Sequence, residues 1–455
     1  MPDRVILDDE RIVECSTLTD LLSEVFFIGT ADCLSGSLPE AVMRSTIDQE
    51  TQTTPRHNGH HREAQTPGPS TRVLHQGIQR PQAFHSLTPP IVQTAAYTFE
   101  NTEAVVRFKS APAKTRLEYG RYGNPTVQGV EQRLAALEEG EAALLVSSGM
   151  AAITLPLLLL LSQGDHLIIG DDTYHRTRVF ANDFLTRYGV SVTTVPTTDL
   201  SAIEAAIRPN TRVIVAETPT NPFLRCVDLQ GLARLARTHG ILTLIDSTFA
   251  TPLNQQPLLH GIDLVAHSVT KYLAGHNDLL AGVIVGDSDL IEALRDIQGL
   301  FGAVVDPSAA YQIHRGLQTL GLRISQQNRS ALAIARFLET HPKVRRVWYP
   351  GLPSHPDHPV ARKQMRGFGG VVSFEIAGDG PAASRFVDAL QLAHIAPSLG
   401  GVDTLVMQPA IMSYFDTPRE ERLALGITDE LIRLSVGIED TEDLLDDIEQ
   451  ALEVV

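Results

Sequence analysis

The sequence predicts an α/β fold with a large, mostly parallel sheet and a smaller second domain. Seven short apolar runs occur between residues 142 and 285, as is typical of strands that are buried on both faces. Helical patterns such as residues 229–239 separate several of these runs, as in strand–helix–strand units. After about residue 310 the pattern changes to helices around a strand-like run at 370–376, followed by an acidic helix at 441–452. This second part is therefore predicted to be a smaller α/β domain packed on the first.

The residues that follow the seven runs are candidates for a functional site. In open α/β sheets, ligands bind beyond the carboxyl ends of the strands, so side chains just after each run are candidates for a site. The predicted strands are residues 142–146, 166–169, 190–195, 213–216, 241–245, 264–266 and 282–285.

Composition excludes several classes of function. The 455 residues include 37 Lys and Arg against 54 Asp and Glu, which gives a formal charge of -17. Such an acidic surface disfavours nucleic acid or an anionic membrane as the main partner. The longest apolar run, residues 151–161, is shorter than the roughly 20 residues of a membrane span. It also contains Pro156, and we predict a buried helix there.

Cysteine usage and the N-terminus indicate an intracellular protein. The cysteines, Cys15, Cys33 and Cys226, are too few and too far apart for a disulfide framework or a zinc cluster. The acidic residues Asp3, Asp8, Asp9 and Glu10 lie within the first ten positions, where a secretory or organellar leader would have a basic segment and an apolar core. We therefore expect a cytoplasmic location.

A polar stretch precedes the predicted domains. Residues 46–72 contain almost no large apolar side chains, so they cannot bury enough surface to offset the entropy of ordering and are expected to form a disordered linker. A metal ion could bind to His57, His60 and His61 in this stretch, but a solvated tail is the favoured interpretation.

Residues after three of the strands together specify one ligand. Lys271 suits an amine nucleophile whose pKa is lowered by its surroundings. Asp246 ends a buried strand, where a carboxylate needs a cation or a protonated nitrogen. Groups that could hold a phosphate belong to Ser148, Gly149, Met150, Ser268 and Thr270. Pyridoxal phosphate (PLP) offers the aldehyde, the ring nitrogen and the phosphate that these groups require, so PLP is the predicted cofactor.

Six ordered motifs resemble the cystathionine γ-synthase branch of the PLP-dependent transsulfuration enzymes, most closely its plant-type form. The likeness extends from about residue 72 to the C-terminus, and six motifs around one lysine are far more specific than one short motif. They are EYGRYGNPT (118–126), SSGMA (147–151), ETPTNPFLRCVD (217–228), IDSTFATPLNQ (245–255), HSVTKYLAGHND (267–278) and RLSVGIED (433–440).

The resemblance implies the architecture of a fold type I PLP-dependent transferase, with a seven-stranded, mostly parallel sheet and a smaller C-terminal α/β domain. It implies three segments: an arm at 72–125 that contacts the neighbouring subunit, a PLP-binding domain at 126–310 and a C-terminal domain at 311–455. Residues 1–71 lie outside the likeness and are predicted, from their composition, to be a largely disordered extension. The resemblance also implies a homo-oligomer, expected to be a tetramer built from dimers that share active sites.

The resemblance further implies roles for single residues. The catalytic set would be Lys271, which binds the cofactor aldehyde and then moves protons, together with Tyr119 and Tyr174. Tyr174 would stack on the ring whose nitrogen pairs with Asp246. Tyr119 and Arg121 would reach the cofactor phosphate of the neighbouring subunit.

Substrate contacts follow from the same resemblance. The α-carboxylate would bind Asn221, Ser398 and Arg433, and a buried guanidinium such as Arg433 is expected to have a carboxylate partner. Glu118 would receive the ammonium group of cysteine, and Arg176 would face an anionic leaving group.

Several of these residues also fit a structural role. Asp246 could cap a strand-to-helix turn and Tyr174 could pack in the core, although their match to the motifs favours the cofactor. Arg176 could equally pair with surface acids. His267 is expected to be structural, and Cys226 to be a small buried residue and not a nucleophile.

The implied reaction is γ-replacement in methionine biosynthesis. An O-activated homoserine, as its phosphate, succinate or acetate ester, would react with cysteine to give cystathionine. Cystathionine lyases and O-acylhomoserine sulfhydrylases resemble the chain on the same scaffold and are the alternatives within the enzyme class. A catalytically silent binding protein is the alternative outside it, which Lys271 and Asp246 disfavour.

Overall fold

The structure, a computed structural model, describes residues 67–78, 80, 82–110 and 117–455, and two short strands near the N-terminus. Strands β1 (Arg4–Ile6) and β2 (Ile12–Glu14) pair antiparallel. The described residues from 67 onwards belong to one compact unit. The predicted disorder of residues 1–71 and the histidine metal site fall almost entirely outside the described residues. The boundary predicted after residue 71 falls inside the helix Pro69–His75. This helix belongs to the folded part that follows, because its Val73 is buried in the core.

A seven-stranded sheet forms the centre of the larger domain. Its strands are β3 (Ala142–Val146), β4 (His166–Gly170), β5 (Ser191–Val195), β6 (Thr211–Glu217), β7 (Leu242–Asp246), β8 (Leu264–Ser268) and β9 (Gly282–Gly286). They lie in the order β3-β9-β8-β7-β6-β4-β5. Only β9 runs antiparallel to its neighbours, β3 and β8. This confirms the prediction of an α/β fold with a mostly parallel seven-stranded sheet.

Apolar side chains cover both faces of this sheet. On one face, Leu244 packs in a cluster with residues of the helices Gly149–Leu160 and Ser288–Phe301. On the other face, the adjacent Ile245 packs in a cluster with residues of the helix Leu229–Thr238. Successive residues of a strand point to opposite faces, so a strand covered on both sides must be apolar throughout.

The long apolar run forms the buried helix that its length predicts. Helix Gly149–Leu160 contains Pro156 and packs against the large sheet. No helix in the described part of the chain combines the length and the apolar character that crossing a membrane requires.

A five-stranded sheet forms the second domain. Its strands are β10 (Val344–Trp348), β11 (Val371–Ile376), β12 (His394–Ile395), β13 (Leu405–Met407) and β14 (Leu431–Ser435). They lie in the order β10-β11-β14-β13-β12, antiparallel except for the β12–β13 pair. Helices Leu320–Thr340 and Thr441–Glu453 contribute to its apolar core, as the predicted smaller α/β domain requires.

The remaining helices are short or connect these layers. The α-helices are Thr102–Ser110, Pro125–Glu138, His175–Val179, Leu200–Ala205, Thr251–Asn254, Pro307–Gln318, His358–Gln364, Gly380–Ala389, Pro409–Met412 and Arg419–Ala424. Single turns of other helix types are Ala83–His85, Phe180–Phe184, Leu185–Tyr188 and Pro257–His260.

A buried arginine fixes the loop that follows Lys271. Arg323, on helix Leu320–Thr340, donates to the carbonyl oxygens of Tyr272 at 2.7 Å and Gly316 at 2.9 Å. Burial lowers the pKa of Arg323 to about 10. Gly275 lies in the left-handed region with φ +73°, and a Cβ there would be 2.1 Å from Arg323 Nη1. Glycine is therefore required both for the backbone turn and for the close approach of this guanidinium.

Gly275→Ala should cost more stability than the same substitution at another left-handed glycine. Gly240 has φ +65° and open space around an added Cβ, so Gly240→Ala should cost only about 1 kcal/mol for its backbone conformation. Gly275→Ala should add the displacement of Arg323 from two buried carbonyls. We expect the urea midpoint to fall further for Gly275→Ala than for Gly240→Ala, and equal midpoints would contradict this role of Arg323.

Candidate active site

A cavity of about 310 Å³ lies at the carboxyl ends of the parallel strands, and residues of the smaller sheet form its other wall. This size and position are typical of a small-molecule site. Eleven of the residues predicted from the sequence line it: Ser148, Gly149, Met150, Tyr174, Asn221, Asp246, Ser268, Thr270, Lys271, Ser398 and Arg433. Tyr174 is 43% exposed, so it borders the cavity and does not pack in the core.

One end of the cavity is built to hold an anion. Ser148 caps helix Gly149–Leu160, whose first backbone N–H groups have no acceptor within the helix and carry partial positive charge. A Cβ on Gly149 would lie 2.6 Å from the Cβ of Ser268. Glycine therefore lets the Ser268 side chain lie beside these amides, which together suit a phosphate.

Asp246 serves two purposes at once. Its Oδ1 accepts hydrogen bonds from the backbone N–H of Thr248 at 3.0 Å and from the Thr248 hydroxyl at 2.5 Å. Burial raises the pKa of Asp246, while these bonds and the charge of His267 act in the opposite direction. Its Oδ2 has no donor among the described residues. The capping and cofactor interpretations are thus compatible, because one oxygen fixes the turn and the other is free for a protonated ring nitrogen.

Lys271 presents an amine that is easily deprotonated. Its Nζ donates to the Ser398 hydroxyl oxygen at 2.7 Å. Burial and, secondarily, the positive charge of Arg433 lower the pKa of Lys271 to about 8. A substantial fraction of the amine is therefore neutral near pH 8, which is the form that attacks an aldehyde.

Arg433 is a buried cation without a carboxylate partner among the described residues. It lies on β14, is 5% exposed, and donates to Asn221 Oδ1 at 3.1 Å and to the Ser398 carbonyl oxygen at 2.7 Å. Its Nε has no hydrogen-bond partner in the described part of the chain. Burial lowers the pKa of Arg433 to about 10. Because an unpaired buried guanidinium is costly, the arrangement suits a carboxylate ligand.

Ser398 connects the two cations. Its φ of +101° is unusual for a residue with a side chain, and such backbone strain costs on the order of 1–3 kcal/mol. The strained backbone directs the carbonyl oxygen to Arg433 and the hydroxyl to Lys271. The amine and the carboxylate site are therefore held in a fixed relation.

Four of the residues predicted for the site lie outside the cavity of their own protomer: Glu118, Tyr119, Arg121 and Arg176. Glu118 forms an ion pair with Lys109. The Arg121 guanidinium lies over the ring of Tyr119, 5.4 Å from its centroid, and Tyr119 is 46% exposed. The roles of Tyr119 and Arg121 at a neighbouring subunit, and of Glu118 towards the ammonium group of cysteine, stay predictions.

Arg176 lies away from the cavity of its own protomer. It is exposed on helix His175–Val179, and its side chain does not line the cavity that holds Lys271. It forms no ion pair with an acid among the described residues. The role of Arg176 towards an anionic leaving group stays a prediction.

Two structural interpretations hold. His267 Nε2 lies 2.5 Å from Glu138 Oε1, and both side chains are buried, each with 1% of its surface exposed. Cys226 is buried, and burial raises the pKa of its thiol far above the usual range, so it is not a nucleophile.

Sequence reasoning missed Glu217, a carboxyl that lines the same cavity. It is the last residue of β6, and in the β6–β7 register it lies opposite Asp246. The argument that identified Asp246, a carboxylate at the end of a buried strand, applies equally to Glu217. The apolar walls formed by Phe249, Leu280 and Met407 had no comparable signal in the sequence.

The residues present fit PLP. The amides at Gly149 and Met150 suit its phosphate, the free oxygen of Asp246 suits its protonated ring nitrogen, and the Lys271 amine suits its aldehyde. Fold and cavity together define a PLP-dependent enzyme.

Comparison with known proteins identifies the family. The family model described as Cys/Met metabolism PLP-dependent enzyme matches residues 70–453. The chain therefore belongs to the Cys/Met metabolism PLP-dependent enzyme family, and PLP is its cofactor, as the sequence predicted.

Relatives with different reactions are similar to the chain. It is 49% identical over 371 residues to cystathionine gamma-synthase 1, chloroplastic, of Arabidopsis thaliana, a match that covers 81% of this chain and 66% of that protein. It is 42% identical to an L-methionine gamma-lyase of Fusobacterium nucleatum subsp. polymorphum, over 85% of this chain and 98% of that protein. The crystal structure of metB from Corynebacterium glutamicum superposes with a TM-score of 0.80 at 38% identity, over 85% and 98% of the two chains.

Lys271→Ala should retain the fold and lose covalent attachment of PLP. Borohydride treatment of the PLP-loaded wild type should fix the cofactor to the peptide that contains Lys271, as read by mass spectrometry. The exposed Lys363 provides the control, since Lys363→Ala should label normally. Unchanged circular dichroism with no label is expected for Lys271→Ala, and a labelled Lys271→Ala protein would show that another amine serves the cofactor.

The attachment of PLP to the apoprotein should accelerate with rising pH and level off above about 8, because only the neutral Lys271 amine reacts. Arg433→Met removes a charge that lowers the pKa of Lys271. The midpoint of the pH dependence of PLP attachment should therefore move to higher pH in this variant. Arg433→Lys keeps the charge and should keep the midpoint close to that of the wild type. Absorbance at a series of pH values measures all three. A wild-type midpoint near 10.5, the ordinary lysine value, would contradict the lowered pKa.

Proposed function

We propose that the protein is a cystathionine γ-synthase. It would replace the activated γ-oxygen of an O-phospho-, O-succinyl- or O-acetylhomoserine by the sulfur of L-cysteine and release L-cystathionine. The observation that carries the proposal is the contact of Ser398 with both Lys271 and Arg433, which sets a proton-accepting amine beside a carboxylate site. The identity of 49% and 48% to two plant cystathionine gamma-synthase 1 proteins, against 42% and 44% to an L-methionine gamma-lyase and a cystathionine gamma-lyase, supports replacement over elimination.

The chain's own residues would contribute binding and proton transfer. Arg433 and Asn221 hold the substrate α-carboxylate and thereby place the Cα–H and Cβ–H bonds towards Lys271. The neutral Lys271 amine would accept the proton from Cα, pass it on to the cofactor before it accepts the proton from Cβ, and later return one proton to each carbon. PLP, when bound, supplies a ring that takes up the negative charge left on the substrate carbons.

The bond changes balance without a further reactant. The Cγ–O bond of the ester breaks and the Cγ–S bond forms. The thiol proton of cysteine leaves with the departing phosphate, succinate or acetate. In the described chain the cations that line the cavity are Lys271 and Arg433, and both already have a role. No further cation in this lining identifies the leaving group, so all three esters are tested.

A lyase is the second candidate. The similarity to L-methionine gamma-lyase covers 98% of that protein, so the same cavity shape is compatible with elimination. In that case water, and not cysteine, would complete the reaction and a keto acid would be released.

Assembly and location belong to the same proposal. We propose a homo-oligomer, expected to be a tetramer, in which the arm residues Glu118, Tyr119 and Arg121 complete a neighbouring cavity. Their position outside the cavity of their own protomer supports this arrangement. The cytoplasmic location stays a prediction, and two relatives carry the word chloroplastic in their names.

Incubating the PLP-loaded enzyme with cysteine and each homoserine ester in turn should yield cystathionine, identified by mass spectrometry. Each ester without cysteine, and cystathionine alone, serve as parallel incubations. Keto acid release from cystathionine that exceeds its synthesis would favour the lyase. Sulfide replacing cysteine as the better acceptor would favour a sulfhydrylase.

A further inference from the structure

Glu217 is a buried carboxyl in the cofactor cavity to which no role has been assigned above. It is 3% exposed, and its side chain lines the cavity. Its Oε2 accepts the backbone N–H of Tyr174 at 2.6 Å. Tyr174 is the residue that precedes helix His175–Val179, so this bond fixes the backbone from which the ring-stacking side chain projects.

Glu217 also lies beside a second carboxyl. It is the register partner of Asp246 across β6 and β7, which places two acidic side chains at neighbouring strand ends. Burial, and then the negative charges of Asp246 and Asp172, raise the pKa of Glu217 well above its ordinary value, although the Tyr174 hydrogen bond and the charge of Arg178 act in the opposite direction. Two buried carboxylates side by side cannot both ionise cheaply, so one of them is expected to stay protonated.

The hydrogen-bond donors decide which of the two carries the charge. Asp246 Oδ1 receives two bonds from Thr248 and is also close enough to His267 to be stabilised by its charge. Among the described residues Glu217 receives one hydrogen bond, from the Tyr174 amide, and a neutral carboxyl accepts such a bond through its carbonyl oxygen. The charge therefore belongs on Asp246 and the proton on Glu217.

We propose that Glu217 is a positioning residue of the cofactor site. As an uncharged carboxyl it holds the Tyr174 backbone so that the tyrosine ring covers PLP, and it leaves the negative charge at this edge of the sheet to Asp246. The proposal rests on the PLP cofactor and not on the identity of the substrate. A negative result in the substrate incubations leaves it unaffected, and its own test needs no turnover.

The test compares Glu217→Ala with Glu217→Gln by the dissociation constant of PLP and the visible circular dichroism of the bound cofactor. Glutamine keeps a neutral carbonyl oxygen for the Tyr174 amide, whereas alanine leaves that N–H unpaired in a buried site. Glu217→Ala should bind PLP at least about tenfold more weakly and change the dichroism. Glu217→Gln should stay within about threefold of the wild type, with the same spectrum.

Glu131→Gln is the matched control. Glu131 is also a buried glutamate that accepts a backbone N–H, that of Leu145 at 2.9 Å, but it lies outside the cavity and pairs with Arg295. Its variant should lose stability and keep the affinity for PLP. A loss of affinity in Glu131→Gln equal to that of Glu217→Ala would overturn the proposal, because the effect would then follow from destabilisation alone.

Three further outcomes would also overturn it. One is a Glu217→Ala protein that binds PLP like the wild type. Another is a Glu217→Gln protein that loses as much affinity as Glu217→Ala, which would mean that the charge is required. The third comes from infrared difference spectra of wild type against Glu217→Gln, and it keeps the test decisive if the alanine variant does not fold. The wild type should show the carbonyl stretch of a protonated carboxyl that the glutamine variant lacks, and no such band would contradict the neutral state.

Discussion

The removal of two neighbouring cations from water governs this site. Lys271 and Arg433 are joined through Ser398 and have no carboxylate partner among the described residues, so each would gain from an anion or from losing its proton. The lysine, with the lower intrinsic pKa, releases its proton and becomes the nucleophile. The arginine cannot do so and remains a carboxylate receptor. The cost of burying these two cations thus produces both functions, and the strained backbone of Ser398 keeps the two side chains in place.

The parallel sheet makes this arrangement possible. Because six strands run in one direction, the residues after β3, β6, β7 and β8 meet at one edge although they are far apart in the chain. Their side chains are polar while the strands themselves are apolar. The core thus provides the stability that a site with unpaired charges and strained backbone lacks. The smaller domain also stabilises the loop after Lys271. Its Arg323 donates hydrogen bonds to two buried carbonyl oxygens, one of which belongs to Tyr272 in that loop.

The parts of the structure that follow from local pattern were predictable. Strands predicted at 213–216 and 264–266 are observed at Thr211–Glu217 and Leu264–Ser268, because an apolar run identifies the buried part of a strand but not its polar end. Contacts between distant residues were not predictable in this way. The Glu118–Lys109 ion pair and the absence of Arg176 from the cavity depend on how loops and helix ends turn, and neither hydrophobic period nor spacing encodes that direction.

Charge balance gives Glu217 a reason to be neutral beyond its own burial. In the described cavity the positive groups are Lys271, Arg433 and the N-terminal end of helix Gly149–Leu160, and Asp246 is the carboxylate stabilised by donors. PLP adds a phosphate and the substrate adds a carboxylate, so the site must remain net positive before they bind. A second ionised carboxyl would cancel part of that attraction and compete with the phosphate for the same cations. A protonated Glu217 keeps the hydrogen bond to Tyr174 and avoids this competition, which is why a buried acid can line an anion-binding cavity without weakening it.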